Sequence, residues 1–382
     1  MKISVSINGR FHFFDIAAQF HQRGYLQQLI TSYPKFKVNE WGVPNTKIKS
    51  MVLLELMNRS GKHFGNGRKY LTLLQKKMYG KWSRMVLDND IDIFLFFAGN
   101  GFNSKLLNDL KEKNVVTVAD EGSSHVLYQN SILKEESEIT GINFFKEPNK
   151  KLVDETLLEY DLSHYILVPS IFVERSFLDQ GIPENKLIRI PWGVDLSHFK
   201  QVPKEDETFR IVFAGGLTLQ KGVHYLLQAF HELDLPDAEL WLVGGPGYGI
   251  KHFLTQYNNG KVRLKGRQPQ SQLHWFYSQC DVYCQPSIQD GFAMVISQAM
   301  ACGLPIICTT NTGAKDLIEE GKEGFVVPIR DVKALKEKIL YLYQNPDICK
   351  KMGYAARKKI ETGFTWDDFG DRFINECKRI LG

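Results

Sequence analysis

Val282-Tyr-Cys-Gln-Pro-Ser-Ile-Gln-Asp-Gly-Phe-Ala-Met-Val-Ile-Ser-Gln-Ala-Met-Ala-Cys-Gly-Leu-Pro-Ile-Ile-Cys308 is the stretch whose pattern decides the fold. It opens with a short apolar strand, Val282 to Pro286, and turns through a loop at Asp290 and Gly291. Phe292 to Cys302 then reads as a helix, with Gly303 at the C′ position and Pro305 just beyond it. Ile306-Ile-Cys308 begins another strand. Strand, loop, helix and strand in so few residues make a βαβ unit.

The same alternation continues on both sides. Arg210 to Ala214 is a strand that ends in Gly215-Gly216, and Val223 to Leu233 follows at helical spacing. Leu240 to Val243 is a strand that ends in Gly244-Gly245, and Lys261 to Gly266 is another. A helix is expected around Ser271 to Gln279, a strand at Phe325 to Val327, and helix from Asp331 onward. Strands that are apolar throughout belong to a parallel sheet covered on both faces. The first half repeats the scheme more loosely, with strands expected at Ile3–Ile7, Ile93–Phe97, Val115–Ala119, Tyr165–Val168 and Leu187–Ile190. The chain has 382 residues, which suits two domains. Their boundary is expected between Trp192 and the polar stretch that starts at Pro203. Two such α/β domains side by side leave a cleft, and ligands bind beyond the carboxyl ends of the strands.

A hydrophobic fraction of 43% and a charged fraction of 24% are those of a globular chain rather than a disordered one. The apolar run Ile91 to Ala98 is broken by Asp92 and too short to span a bilayer. Met1 to Asn8 reads as a first strand rather than a signal peptide, so the expected location is the cytoplasm. Six cysteines, all in the second half, include no C-x-x-C pair and read as buried apolar residues in a reducing compartment. The net charge of +5 is uneven: Lys35 to Arg84 holds twelve Lys/Arg against two Asp/Glu. That stretch, 35–84, suits either a solvated helix face or an anionic partner. Such a partner is a membrane surface or a lipid-linked pyrophosphate ahead of nucleic acid.

Two loops carry the chemistry. Gly215-Gly-Leu-Thr-Leu-Gln-Lys-Gly222 leaves a strand and enters a helix, so glycine backbone, helix N–H groups and Lys221 meet where a diphosphate could bind. A lysine at a helix start opposes the helix dipole and calls for compensation, which a bound diphosphate would supply. In the second loop Gly291, Phe292, Ala293, Met294 and Val295 lead into a helix that offers N–H groups. Asp290 and Gln298, eight apart, can reach one ligand from the loop and the helix.

The register D-G-F-A-M-V-I-S-Q-A-M-A-C-G-L-P resembles the signature E-G-F-G-…-E-A-M-A-C-G-x-P of the retaining GT-B glycosyltransferases of family four. Val168-Pro-Ser, Gly181 to Asp195, Phe199 and Gly313 to Pro328 are similar to other parts of that family, so the resemblance covers nearly the whole chain. It implies two Rossmann-like domains with parallel sheets across a cleft: an acceptor-side domain at 1–195 and a nucleotide-sugar domain at 196–364. A last helix, 365–382, returns to the first domain. It implies a hexosyltransferase that moves a hexose or N-acetylhexosamine from a nucleotide diphosphate sugar. The donor is UDP-linked, or alternatively GDP-linked, and no metal or other cofactor is implied. The acceptor is a saccharide or lipid-linked saccharide in polysaccharide biosynthesis, and the enzyme is cytoplasmic, at most peripheral at the inner membrane face.

Carried over residue by residue, Lys221 matches the diphosphate lysine, Asp290 the glutamate near the sugar hydroxyls, and Gln298 the glutamate on the ribose. Gly266 and Arg267 match the segment beside the base, and Gly9 the turn facing the diphosphate. Asp120-Glu121-Gly-Ser-Ser-His125 follows a strand where relatives place a catalytic histidine, and His12 is a second candidate on the acceptor side. The sequence departs from the family at three points. Asp290 is one methylene short, Gln298 lacks the charge that strengthens a hydrogen bond, and Gly216 stands where many members have a second diphosphate cation. Arg267 or a basic residue of the first domain is the expected replacement. The alternative is a protein of the same fold that binds nucleotide sugar but turns it over weakly. A nicotinamide dehydrogenase would need G-x-G-x-x-G, which Gly245-Pro-Gly247 lacks at Ile250. Asp90-Ile-Asp92 spells a metal-binding D-x-D but precedes a strand.

Overall fold

The computed structural model describes residues 1–60 and 68–382. Seven strands form the first sheet: β1 (Ile3–Ile7), β2 (Leu26–Thr31), β3 (Ile48–Ser50), β4 (Ile93–Phe97), β5 (Val116–Asp120), β6 (Tyr165–Val168) and β7 (Leu187–Arg189). Helices α1 (Phe13–Gln22), α2 (Lys35–Asn39), α3 (Val52–Ser60), α4 (Arg68–Val86), α5 (Ser104–Glu112), α6 (Val126–Thr140), α7 (Lys150–Leu162) and α8 (Ile171–Leu178) join them. The second sheet holds β8 (Phe209–Ala214), β9 (Ala238–Val243), β10 (Val262–Gly266), β11 (Val282–Gln285), β12 (Ile306–Thr309) and β13 (Gly324–Val327). Its helices are α9 (Val223–Leu233), α10 (Ile250–Gln256), α11 (Leu273–Ser278), α12 (Met294–Ala301) and α13 (Ala314–Leu317), followed by α14 (Val332–Gln344), α15 (Pro346–Glu361) and α16 (Trp366–Leu381).

The strand orders are β3-β2-β1-β4-β5-β6-β7 and β10-β9-β8-β11-β12-β13, with parallel pairing throughout. Both are doubly wound Rossmann-like sheets. Each reverses its winding at one point, between β1 and β4 and between β8 and β11, and that is where such sheets bind ligands. Every residue of β1, β11 and β12 is buried, because helices cover both faces and leave no solvent side to alternate with.

The second sheet follows the expected strands to within two residues at each end. The first gains two strands that the pattern did not reveal. In β2, Gln27 and Gln28 interrupt the apolar run, and β3 has only three residues. The basic stretch folds as α2, β3, α3 and α4, and its residues 61–67, Lys62 among them, lie outside the described residues. Asp90 and Asp92 sit at the amino ends of the strands, where Asp92 accepts the Lys2 backbone N–H at 2.7 Å and Asp90 pairs with the Lys2 ammonium. That is the edge of the sheet away from the ligand-binding ends.

Trp366 starts α16 behind a capping box in which Thr365 and Asp368 satisfy each other's backbone N–H groups. α16 crosses back to α1, where Phe373 stacks on Phe20 with centroids 5.2 Å apart and Arg23 pairs with Asp371 at 2.7 Å. One hydrophobic core therefore runs from β1 through Trp192, Val194 and Phe199 to Phe292 and α16. All six cysteines are buried and free. Among the described residues, no helix is long and apolar enough to cross a membrane.

Candidate active site between the domains

The loop after β8 and the loop after β11 meet at the winding reversal of the second sheet. Lys221 ends the first loop, and its ammonium pairs with the Asp290 carboxylate in the second. Asp290 thus sets a carboxylate against Lys221 at the start of α9, the place expected to take a diphosphate. Asp290 is held in turn by Gln285 Nε2, which donates to Oδ2 at 3.3 Å, and by its own N–H, which donates to the Asn311 carbonyl at 2.9 Å. Gly222 closes the loop at φ +64°, and a Cβ there would lie 1.8 Å from the Pro286 oxygen, so only glycine fits. Neither α9 nor α12 has a side-chain cap; the Tyr225 and Ile296 N–H groups donate to the Gly222 and Ala293 carbonyls, and those ahead of them, on Val223, His224, Met294 and Val295, are left for an anion. Ala293, the residue before α12, takes φ +56°, a left-handed conformation costly for any residue with a Cβ.

Gly215 and Gly216 turn beside Gly244, whose Cβ, if present, would overlap the Gly215 oxygen. The Arg267 guanidinium lies against neighbouring Gly245, with Nε 2.4 Å from where a Cβ would stand. An arginine is thus stationed beside the turn where Gly216 offers no cation. Gly266, at φ +68°, is exposed next to it. Gln298 is 6% exposed on α12, and the Tyr277 hydroxyl donates to its Oε1 at 3.5 Å.

On the first domain's side, Gly9 follows β1 at φ +125°, and its carbonyl accepts from Thr31 Oγ1 at 2.9 Å. His12 is buried, with Nε2 3.1 Å from both oxygens of Asp120. Its ring lies 3.8 Å, centroid to centroid, from Trp192, which meets Phe292 edge-on at 5.8 Å. Those contacts tie the His12–Asp120 pair to the second domain's loop. His125 is placed differently from the expectation that it acts on substrate. It caps α6, its Nδ1 accepting from the Leu127 N–H at 3.3 Å, with its ring between Tyr160 and Phe177. Burial pushes its pKa down to about 4. The geometry that orients a histidine by a carboxylate belongs to His12.

Glu121 lies behind Asp120, accepting from the Tyr160 hydroxyl at 2.5 Å and the Ser123 N–H at 3.2 Å. Burial, reinforced by the Asp120 charge, raises its pKa from 4.5 to about 8. The folded protein therefore keeps a proton that the unfolded chain releases between those values, and stability falls as pH rises through the interval. Replacing Glu121 with Gln removes this contribution. Thermal melts should show a variant that melts above the wild type at pH 8.5 and converges on it near pH 4.5; parallel pH profiles would contradict the assignment.

Several residues of the site carried no motif. Gln289, fully buried, bridges the domains: its Nε2 donates to Ser123 Oγ at 2.6 Å and Ser124 Oγ at 3.0 Å, and its Oε1 accepts from Gln220 at 2.9 Å. Ser170 Oγ donates to the Gly291 carbonyl at 2.6 Å. Beside this seam, a cavity of about 780 Å³ opens between the domains, with Arg10, Asp15 and Gln19 on one side and Met294, Gln298 and Gln270 on the other. That is the size of a ligand site. Arg10 reaches across it, donating to Gln270 Oε1 at 3.1 Å, and burial raises Asp15 to about 6. Lys221 and Asp290 lie outside the cavity lining. Among the described residues, no cluster of three or more His, Cys, Asp or Glu could hold a metal ion.

Comparison with known proteins gives the arrangement its relatives. Residues 195–359 match the family described as glycosyl transferases group 1. An uncharacterized glycosyltransferase of Methanocaldococcus jannaschii is 28% identical over 265 residues, which cover 69% of this chain and 67% of that protein. The capsular polysaccharide biosynthesis glycosyltransferase CapM of Staphylococcus aureus is 29% identical over 199 residues, 46% of this chain and 49% of its own. The alignment thus spans about half of that relative. Among solved structures, Anabaena HepE in complex with UDP superposes with a TM-score of 0.70 at 16% identity, covering 99% of this chain and 100% of that one.

Proposed function

We propose that the chain is a glycosyl transferase of group 1, the family that residues 195–359 match, and that it moves a hexose or N-acetylhexosamine from a UDP-linked donor to a saccharide or lipid-linked acceptor, with retention of configuration. The reading rests on one observation: Lys221 and Asp290 meet beside the uncapped first turns of α9 and α12. A diphosphate placed there takes the Lys221 ammonium from Asp290 and leaves the carboxylate free for a sugar hydroxyl. As the bond from sugar C1 to the diphosphate oxygen breaks, negative charge builds on the leaving group. Lys221, the helix ends and Arg267 meet that charge without reorganising. The acceptor oxygen forms the new bond to C1 from the same face, and its proton passes to the departing phosphate. His12, oriented by Asp120, is assigned to the acceptor side with Glu121 behind it.

HepE was crystallised with UDP, which makes UDP the first nucleotide to test. CapM serves capsular polysaccharide biosynthesis, which supports a cell-surface polysaccharide as product, made at the cytoplasmic face of the membrane. Gln298 and Gly216 favour a second reading, binding with weak turnover, because each removes a charge that relatives apply to the donor.

A thermal-shift screen of nucleotide sugars tests the proposal. A ligand at a hundred times its Kd stabilises the native state by about 2.7 kcal/mol, enough to raise the melting temperature measurably. UDP-sugars should produce that shift. A screen in which no UDP- or GDP-sugar moves the transition would sink the reading.

A further inference from the structure

We propose that Glu136 is a positioning residue: from the first domain it grips the first turn of α9, and so fixes Lys221 and the diphosphate end of that helix against the acceptor side; this deepens the transfer reading above and rests on it. Glu136 lies on α6, and its side chain is fully buried. Its three donors come from the second domain. Oε1 is 2.8 Å from His224 Nε2 and 3.0 Å from the Tyr225 hydroxyl, and Oε2 accepts from Arg330 Nε at 2.7 Å. Burial works against the charge, but the hydrogen bonds from His224 and Arg330 outweigh it and hold the carboxyl below its ordinary pKa. An ionised carboxylate only accepts, so His224 Nε2 and the Tyr225 hydroxyl both donate. Arg330 Nη1 continues to Glu135 at 2.9 Å. A buried charge so fully answered is held in one geometry, and losing it strands its partners.

Two observations tie this contact to the site rather than to packing alone. His224 and Tyr225 are the second and third residues of α9, three and four places after Lys221. The helix end that offers the Val223 and His224 N–H groups is therefore the end whose side chains Glu136 holds. Arg330, for its part, takes φ +64°, a left-handed conformation that is easy for glycine and costly for arginine. The guanidinium that reaches Glu136 is what a glycine there would forfeit. The rest of α6 runs along the same domain: Asn311 donates to the Tyr128 hydroxyl at 3.1 Å, and Ile142 and Phe144, just beyond the helix, pack on the second domain's core. The loop after β11 has its own first-domain contacts, at Gln289 and Gly291. Glu136 supplies the direct one for α9.

Small-angle X-ray scattering, UDP titration and steady-state rates on Glu136→Ala test this, with the nucleotide sugar found by thermal shift as donor. Without nucleotide, the variant should have a larger radius of gyration than the wild type. Its kcat should fall by about a hundredfold, while its Kd for UDP should change by less than about threefold. Glu136→Gln keeps an acceptor for His224 and Tyr225 and should bring kcat back to within about tenfold of the wild type. If Glu136→Ala does not fold, Tyr225→Phe combined with Arg330→Gln removes two of the three donors and is read by the same measurements. A variant with wild-type dimensions and wild-type kcat overturns the proposal. So does one that loses UDP affinity along with kcat, since Glu136 would then shape the donor pocket and not the approach of the domains. The two readings fail differently. Wild-type protein that binds no nucleotide sinks transfer and this role with it; wild-type protein that transfers sugar no faster than Glu136→Ala sinks this role alone.

Discussion

Lys221→Ala should lower the rate of sugar transfer by about a thousandfold while the protein remains folded. The size follows from where charge develops. On the proposed mechanism the departing nucleoside diphosphate gains negative charge at the start of α9, beside Lys221, and one preorganised donor lost at such a point costs roughly 3–4 kcal/mol of transition-state stabilisation. The fold should tolerate the change, because the Lys221–Asp290 pair is partly exposed, at 25% and 17% of its side chains, and pairs in contact with water contribute little to stability. Lys221→Arg should recover only part of the rate, since a planar guanidinium does not occupy the position of a compact ammonium. Initial rates with the donor found by thermal shift, compared with melting temperatures of the same preparations, decide the matter. Near-normal turnover of Lys221→Ala would remove Lys221 from the mechanism.

Lys221 and Asp290 stood out in the sequence because both follow strands of one sheet and each lies in a short local pattern, but their direct pairing was not read from it. The strand reversal between β8 and β11 does the rest, since it brings those two loops together. The first sheet was harder to read. β2 hides two glutamines inside its run, with Gln28 buried and Gln27 donating to Asp88 at 2.6 Å, so periodicity alone gave no strand there. The choice between His12 and His125 was likewise not local. Both follow strands of the first sheet, and only the partner 108 positions away, Asp120 against His12, distinguishes an oriented imidazole from a helix cap. Gln289 shows the same limit: its partner Ser123 is 166 positions distant, and a glutamine before an Asp-Gly turn carries no sign of it.

Gly291→Ala should cut kcat/KM by about a hundredfold and leave UDP affinity nearly unchanged. A Cβ at 291 would stand 2.0 Å from the Gly122 oxygen, 2.7 Å from its carbonyl carbon and 2.9 Å from Ser123 Cα. All three are backbone atoms of the first domain, so no side-chain rotation relieves the overlap, and the domains must separate by about 1 Å or more. That displacement breaks the Ser170–Gly291 and Gln289–Ser123 hydrogen bonds and withdraws His12 and Asp120 from the donor loops. A misplacement of about 1 Å is enough to cost a hundredfold in rate, whereas a nucleotide held mainly by the second domain loses little affinity. Gly222→Ala supplies the contrast. Its Cβ would meet the Pro286 oxygen at 1.8 Å within one domain, at a backbone φ of +64°. It should therefore lower the melting temperature strongly, where Gly291→Ala lowers it little. UDP titration, steady-state rates and melts of the two variants test the distinction. If Gly291→Ala loses UDP binding and activity together, the seam belongs to donor binding and not to domain closure.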